Sequence, residues 1–105
     1  RKALMASLCD GFLALPGGLG TFEETLEILT WAQLGIHKKP VGVLNVEGYW
    51  DGLQRLLAHA VGEGFVRPEY AALLLFGGTP VELLDRLAAW RPPVLARAWL
   101  DPSQT

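Results

Sequence analysis

A chain of 105 residues holds at most one domain, long enough to bury a real core but short for a doubly wound sheet. Half of its residues are hydrophobic and 19% are charged, as in ordinary globular proteins. A net charge of −2 argues against a broad nucleic-acid footprint, which needs a basic surface, and no apolar run approaches the roughly 18–20 residues that cross a bilayer.

Arg1, Lys2, Leu4, Met5 and Leu8 follow helical spacing, so the sequence opens in what reads as mid-helix, with Asp10-Gly11 as its stop. With no initiator methionine before it, the sequence reads as part of a longer protein. Cys9 has no partner for an internal disulfide, which makes a reducing cytoplasm the default compartment. Neither a helix start nor a cationic neighbour is evident beside it to favour a thiolate, so it reads as a packing residue. Phe12 to Leu15 is an apolar run with the look of a buried strand. Pro16 closes it, since proline lacks the N–H that a central strand would use.

Gly17, Gly18, Leu19, Gly20 and Thr21 then turn the chain into an amphipathic helix, with Phe22, Leu26, Leu29, Ala32 and Leu34 as its apolar positions. Thr21 is expected to be the N-cap and Glu24 its capping-box partner, with Gly35 the left-handed stop. His37-Lys38-Lys39 reads as a solvated turn. Val41 to Val46 is a near-continuous apolar run, the pattern of a parallel strand covered on both faces. Tyr49 to Val61 returns to helical spacing through Leu53, Leu56, Leu57 and Ala60, and Glu63-Gly64 ends it. Asp51 reads as topping this helix rather than as a chemical group.

A short helical turn over residues 68–71 and a third strand over 72–76 follow. Thr79-Pro80-Val81-Glu82 is a second capping box with proline at the first helical position. The last helix, Val81 to Trp90, should bury Leu83, Leu84, Leu87 and Ala88, and Arg91-Pro92-Pro93 ends it. Residues 94–105 read as a tail, leaving one domain over residues 1–93. Strands alternating with helices through short turns argue an α/β fold with a parallel sheet and helices on both faces. In such sheets ligands bind at the edge where the strands end, and both the Gly17–Thr21 loop and the Asn45–Gly48 loop should emerge there.

A strand that passes through glycines into a helix start is suited to an anion. Without Cβ atoms, Gly17, Gly18 and Gly20 let backbone N–H groups approach a ligand, and the helix adds unpaired amides and its positive dipole end. The same residues would also serve a tight turn that binds nothing. Glu24, by its spacing alone, reads as the helix cap. Glu23, about 100° further round the helix, reads as solvated or as a complement to the dipole. His37 and His59 have no ligand cluster around them, so no metal is expected.

Pro16-Gly17-Gly18-Leu19-Gly20-Thr21-Phe22-Glu23-Glu24 resembles the Pro-Gly-Gly-x-Gly-Thr-x-x-Glu signature of the LOG family of cytokinin riboside 5′-monophosphate phosphoribohydrolases, many of them labelled possible lysine decarboxylase. Arg1-Lys2 with Met5 is similar to that family's Arg-Lys-x-x-Met segment. Residues 28–35, Lys39-Pro40-Val41-Gly42, Leu44-Asn45-Val46 and Gly48-Tyr49-Trp50 resemble its following helix, strand and loop.

The resemblance implies a Rossmann-like fold of which this chain is the C-terminal part. It implies hydrolysis of an N6-modified adenosine monophosphate, or plain AMP, to free base and ribose 5-phosphate. It further implies phosphate on Gly17–Thr21, an active-site carboxylate at Glu24, and an active-site arginine at Arg1. Lys2 stays open between a phosphate contact and an exposed side chain. Water is the nucleophile, so no cofactor is implied; a homodimer is, with Trp31 and Leu34 candidates for its apolar surface. A non-catalytic nucleotide-binding module on the same fold is the alternative. Pyridoxal phosphate chemistry would need a lysine for its Schiff base, and none of Lys2, Lys38 and Lys39 has a recognisable context for one.

Overall fold

Val41-Gly42-Val43-Leu44 is buried at every position, the mark of a strand with a neighbour on each side and a layer on each face. The computed structural model describes residues 10–93, and there this run forms β2 (Val41–Leu44), between β1 (Phe12–Ala14) and β3 (Leu74–Gly77). All pairing is parallel, with Phe12 opposite Val41 and Val41 opposite Leu74. Among the described residues the helices are α1 (Leu19–Gln33), α2 (Asp51–Gly62), α3 (Pro68–Ala71) and α4 (Pro80–Ala89), with a 3-10 turn at Val46–Gly48.

Successive strand residues face opposite ways, and β2 uses both directions. Val41 and Val43 pack into a core with Ile28, Leu29 and Ala32 of α1, joined by Trp50, Tyr70, Leu73 and Leu74. On the opposite face, a Cβ at Gly42 would approach Leu83 Cδ1 to 2.8 Å and Leu87 Cδ2 to 3.2 Å, so α4 lies directly against the strand. Leu83 is fully buried there. A parallel sheet with helices on both faces results, as the alternation of elements implied.

Two helices stop in the same way. At the end of α1, Gly35 has φ +77°, its N–H donates to Ala32 O (3.1 Å) and Ile36 N–H donates to Trp31 O (2.9 Å). At the end of α2, Gly64 has φ +83°, with Gly64 N–H to Val61 O (3.1 Å) and Phe65 N–H to Ala60 O (2.9 Å). Both are Schellman motifs, which satisfy carbonyls that the helix leaves without donors and place glycine where a side chain would be strained.

Several expectations need correction. The first helix starts at Leu19, two residues before Thr21, with Gly18 as its N-cap and no side-chain cap. The Thr21–Glu24 capping box therefore does not form: Phe22 N–H already donates to Gly18 O (3.0 Å), which puts Thr21 inside the first turn. The buried stripe of α1 is Thr25, Ile28, Leu29 and Ala32, whereas Leu26 is exposed. On α4, Leu83 is buried but Leu84 and Ala88 are exposed, because one narrow stripe meets the sheet. The second strand ends at Leu44, since Asn45 starts a turn; the third runs over Leu74–Gly77, and α2 begins at Asp51.

His37 is not solvated. It is 7% exposed and ring-packed on Phe12, with centroids 5.1 Å apart. Lys39 N–H donates to Nδ1 (3.2 Å), so the proton sits on Nε2, which donates to Ile28 O (2.9 Å). The imidazole pins the turn to the middle of α1. Arg1, Lys2, Met5, Cys9 and the tail 94–105 lie outside the described residues.

Candidate active site

Parallel strands end on one edge, so the segments after Ala14, Leu44 and Gly77 gather there. The first is the glycine loop, and none of Gly17, Gly18 and Gly20 has a positive φ. Their lack of a side chain serves space, not backbone angle. A Cβ at Gly17 would collide with the Thr21 hydroxyl, so this glycine lets the first turn of α1 fold back against the loop. A Cβ at Gly18 or Gly20 would meet nothing within 4 Å. The fold itself does not demand those two glycines, and space beside the amides is what they leave.

Among the described residues those amides have no acceptors. The first bond of α1 is Phe22 N–H to Gly18 O, which leaves the N–H groups of Gly18, Leu19, Gly20 and Thr21 without partners inside the helix. No side chain caps them and no acidic residue lies in the first turn. Leu19 is 83% exposed, so the mouth of the helix is open. Unpaired amides and the positive dipole end make it suited to a phosphate.

Beside the mouth lies a cavity of about 430 Å³, floored by Phe12 to Pro16 of β1 and its exit and walled by Thr21, Glu24, Thr25 and Ile28 of α1. Thr21 and Glu24 are three residues apart on a helix, which puts both on one face. Among the described residues lining the cavity, Glu24 is the one charged group, and Thr21 and Thr25 of the same helix line it too. A lone carboxylate one turn from an anion seat can stabilise positive charge developing on whatever that anion carries. Glu23 is exposed in the second turn, too far along the helix to complement its first amides.

The second loop supplies a residue that sequence reasoning did not single out. Asn45 takes the N–H of Trp50 on its side-chain oxygen (2.6 Å), gives its amide to Asp51 Oδ1 (2.8 Å), and its own backbone N–H reaches Gly77 O (2.7 Å). Glu47 and Gly48 both adopt left-handed angles, φ 49° and 74°, and the turn presents Tyr49 to the glycine loop, where its hydroxyl donates to Gly17 O. A turn of such residues ending on the same sheet edge was the signal available for Tyr49. Asp51 acts as a structural clamp, as its place at the helix start suggested. Among the described residues no cluster of three or more His, Cys, Asp or Glu could hold a metal, and no helix is long and apolar enough to cross a membrane.

Gly17, Gly18, Leu19, Gly20 and Thr21 thus stand at the entry and first turn of α1, and Thr21 and Glu24 line the cavity; Arg1 and Lys2 lie outside the described residues. A family profile described as possible lysine decarboxylase matches residues 1–87. The chain is 52% identical over 92 residues to the probable cytokinin riboside 5′-monophosphate phosphoribohydrolase LOGL2 of Oryza sativa subsp. japonica, covering 88% of this chain and 38% of the relative. It is 51% identical over 92 residues to the cytokinin riboside 5′-monophosphate phosphoribohydrolase LOG3 of Arabidopsis thaliana, covering 88% and 43%. To LOG7 of the same plant, which bears the same enzyme name, it is 50% identical over 92 residues, covering 88% and 42%. The chain spans about two fifths of the length of these curated relatives. On the span of the profile and the depth of these identities, the chain belongs to the family described as possible lysine decarboxylase, the family of the LOG phosphoribohydrolases.

Proposed function

We propose that the protein to which this chain belongs hydrolyses the N-glycosidic bond of a nucleoside 5′-monophosphate, an N6-modified adenosine monophosphate or AMP, releasing free base and ribose 5-phosphate. The observation that supports this is a cavity lined by Thr21, in the uncapped first turn of α1, and by Glu24. The names of the relatives support the substrate class.

In this reading the amides of Gly18, Leu19, Gly20 and Thr21 seat the phosphate, with the Thr21 hydroxyl as a further donor. Breaking the bond to the base develops positive charge at the anomeric carbon. Glu24, fixed one turn further along the helix, stabilises that charge more in the transition state than in the ground state, and can take a proton from the attacking water. Arg1 orients the nucleotide or helps the base leave, its forked donors suiting purine nitrogens and phosphate oxygens; Lys2 is the lesser candidate for the phosphate. Water is the nucleophile and the chemistry uses no cofactor.

The reaction is assigned to the cytoplasm and to a homodimer. Support for the dimer comes from Leu26 and Leu56, which stand exposed on a second, mainly apolar cavity of about 450 Å³ between α1 and α2. The deciding experiment incubates the full-length protein with AMP and with an N6-isoprenoid AMP and follows free base by chromatography. Release of base from either establishes the hydrolase; nucleotide binding without release establishes the non-catalytic module instead.

A further inference from the structure

The Gly17–Gly18 peptide is the last one before α1 begins, and its orientation decides where the Gly18 N–H points. A trans peptide holds its C=O and N–H on opposite sides of one plane. Between two glycines, no Cβ biases that plane, so it can turn over at little cost. Nothing packs on the space beside Gly18, and α1 offers its N–H no acceptor. A site that depends on this amide needs the carbonyl on the other side to be held.

Tyr49 holds it. Its hydroxyl donates to Gly17 O across a separation of 32 residues. Tyr49 is 47% exposed, so water could serve the hydroxyl equally well, and burial does not account for the bond. The side chain is aimed by its surroundings. The Asn45 clamp and the left-handed pair Glu47-Gly48 fix the turn that carries it. Its ring meets Trp50 edge to face, centroids 5.4 Å apart, and Trp50, 2% exposed, meets Phe22 of α1 in the same way at 5.6 Å. The donor thus rests on the same helix whose mouth it serves.

We propose that Tyr49 is a positioning residue for the anion seat: by binding the Gly17 carbonyl it keeps the Gly18 N–H turned into the mouth of α1, preorganised for the substrate's phosphate. This inference rests on the phosphate-binding reading above. It assigns Tyr49 no contact with the reacting atoms. Its effect passes through one peptide plane and falls on ligands that carry a phosphate.

The test compares full-length wild type with Tyr49→Phe, which keeps the ring and its packing. Inhibition by ribose 5-phosphate and by inorganic phosphate is measured beside inhibition by adenosine, which lacks the phosphate, together with KM and kcat for the nucleotide and the melting temperature. Loss of one aligned donor should weaken both phosphate ligands about three- to tenfold, raise KM by a similar factor, and leave kcat, the adenosine constant and the melting temperature close to wild type. Equal weakening of adenosine and ribose 5-phosphate, or a fall in melting temperature that accounts for both, would make Tyr49 a structural residue and overturn the inference. Unchanged inhibition by phosphate ligands in Tyr49→Phe overturns it while leaving the phosphate seat standing. If wild type itself is not inhibited by ribose 5-phosphate or inorganic phosphate, the seat falls, and the role of Tyr49 falls with it.

Discussion

The chain passes from a strand through paired glycines into a helix twice, and the two passages end differently. At Gly77-Gly78-Thr79-Pro80 the helix mouth is closed by its own residues. Thr79 Oγ1 accepts from Glu82 N–H (3.2 Å), Glu82 Oε2 accepts from Gly78 N–H (3.3 Å), and Pro80 brings no N–H at all. At Gly17-Gly18-Leu19-Gly20 no side chain closes the mouth. Gly77 is pressed against the backbone of its helix, since a Cβ there would lie 2.7 Å from Leu83 Cα, whereas the space at Gly18 and Gly20 is empty. One passage spends its local hydrogen bonds on stability and the other leaves them unspent. On the proposed function, the difference separates a structural turn from an anion seat.

The largest expected break in this comparison is at Glu24. In the full-length protein, Glu24→Gln keeps the size and removes the charge, so nucleotide should still bind while kcat falls by about 10²- to 10³-fold, the scale of losing one preorganised electrostatic group. Unchanged turnover would remove this carboxylate from the chemistry. Gly18→Asp would give the open mouth what the closed one has, an acidic cap. It should weaken nucleotide binding at least about tenfold by placing a like charge in the seat, while helix stability changes by no more than a few tenths of a kcal/mol; calorimetric titration and thermal melts separate the two effects.

Gly77→Ala sharpens the contrast from the other side. Its Cβ meets backbone rather than a flexible side chain, so about 1–3 kcal/mol of stability should be lost in denaturant unfolding, against little change for Gly20→Ala. Smallest is Thr79→Ala, which should cost about 1 kcal/mol in the same assay and leave nucleotide affinity alone. A fall in affinity there would mean that the second mouth also belongs to the site.

The sequence carried the alternation of elements, both glycine stops and the anion-suited motif, because each depends on residue types at short range. It misled where spacing alone had to choose. Thr-x-x-Glu occurs at both mouths, yet only at Thr79 does it cap: Pro80 fixes the start of that helix, while at the first mouth α1 begins at Leu19 and carries Thr21 past the capping position. His37 between lysine neighbours and a helix end resembles a solvated turn in sequence; its burial comes from Phe12 and Ile28, which only the fold brings near. The bond of Tyr49 was hidden for the same reason, since its partner Gly17 belongs to a different loop and the turn signalled only which sheet edge Tyr49 would reach.

The anion seat and Glu24 ride on a single rigid rod. Three helical positions separate Thr21 from Glu24, about 4.5 Å along the axis, and that interval cannot stretch while α1 remains a helix. In the proposed function the rod is therefore a ruler with two graduations: one marks where a phosphate stops, the other where positive charge is tolerated. On the proposed function, a sugar phosphate whose reactive carbon falls short of the second mark, or beyond it, binds and goes no further, and the pitch of one helix is what selects the ring that can react.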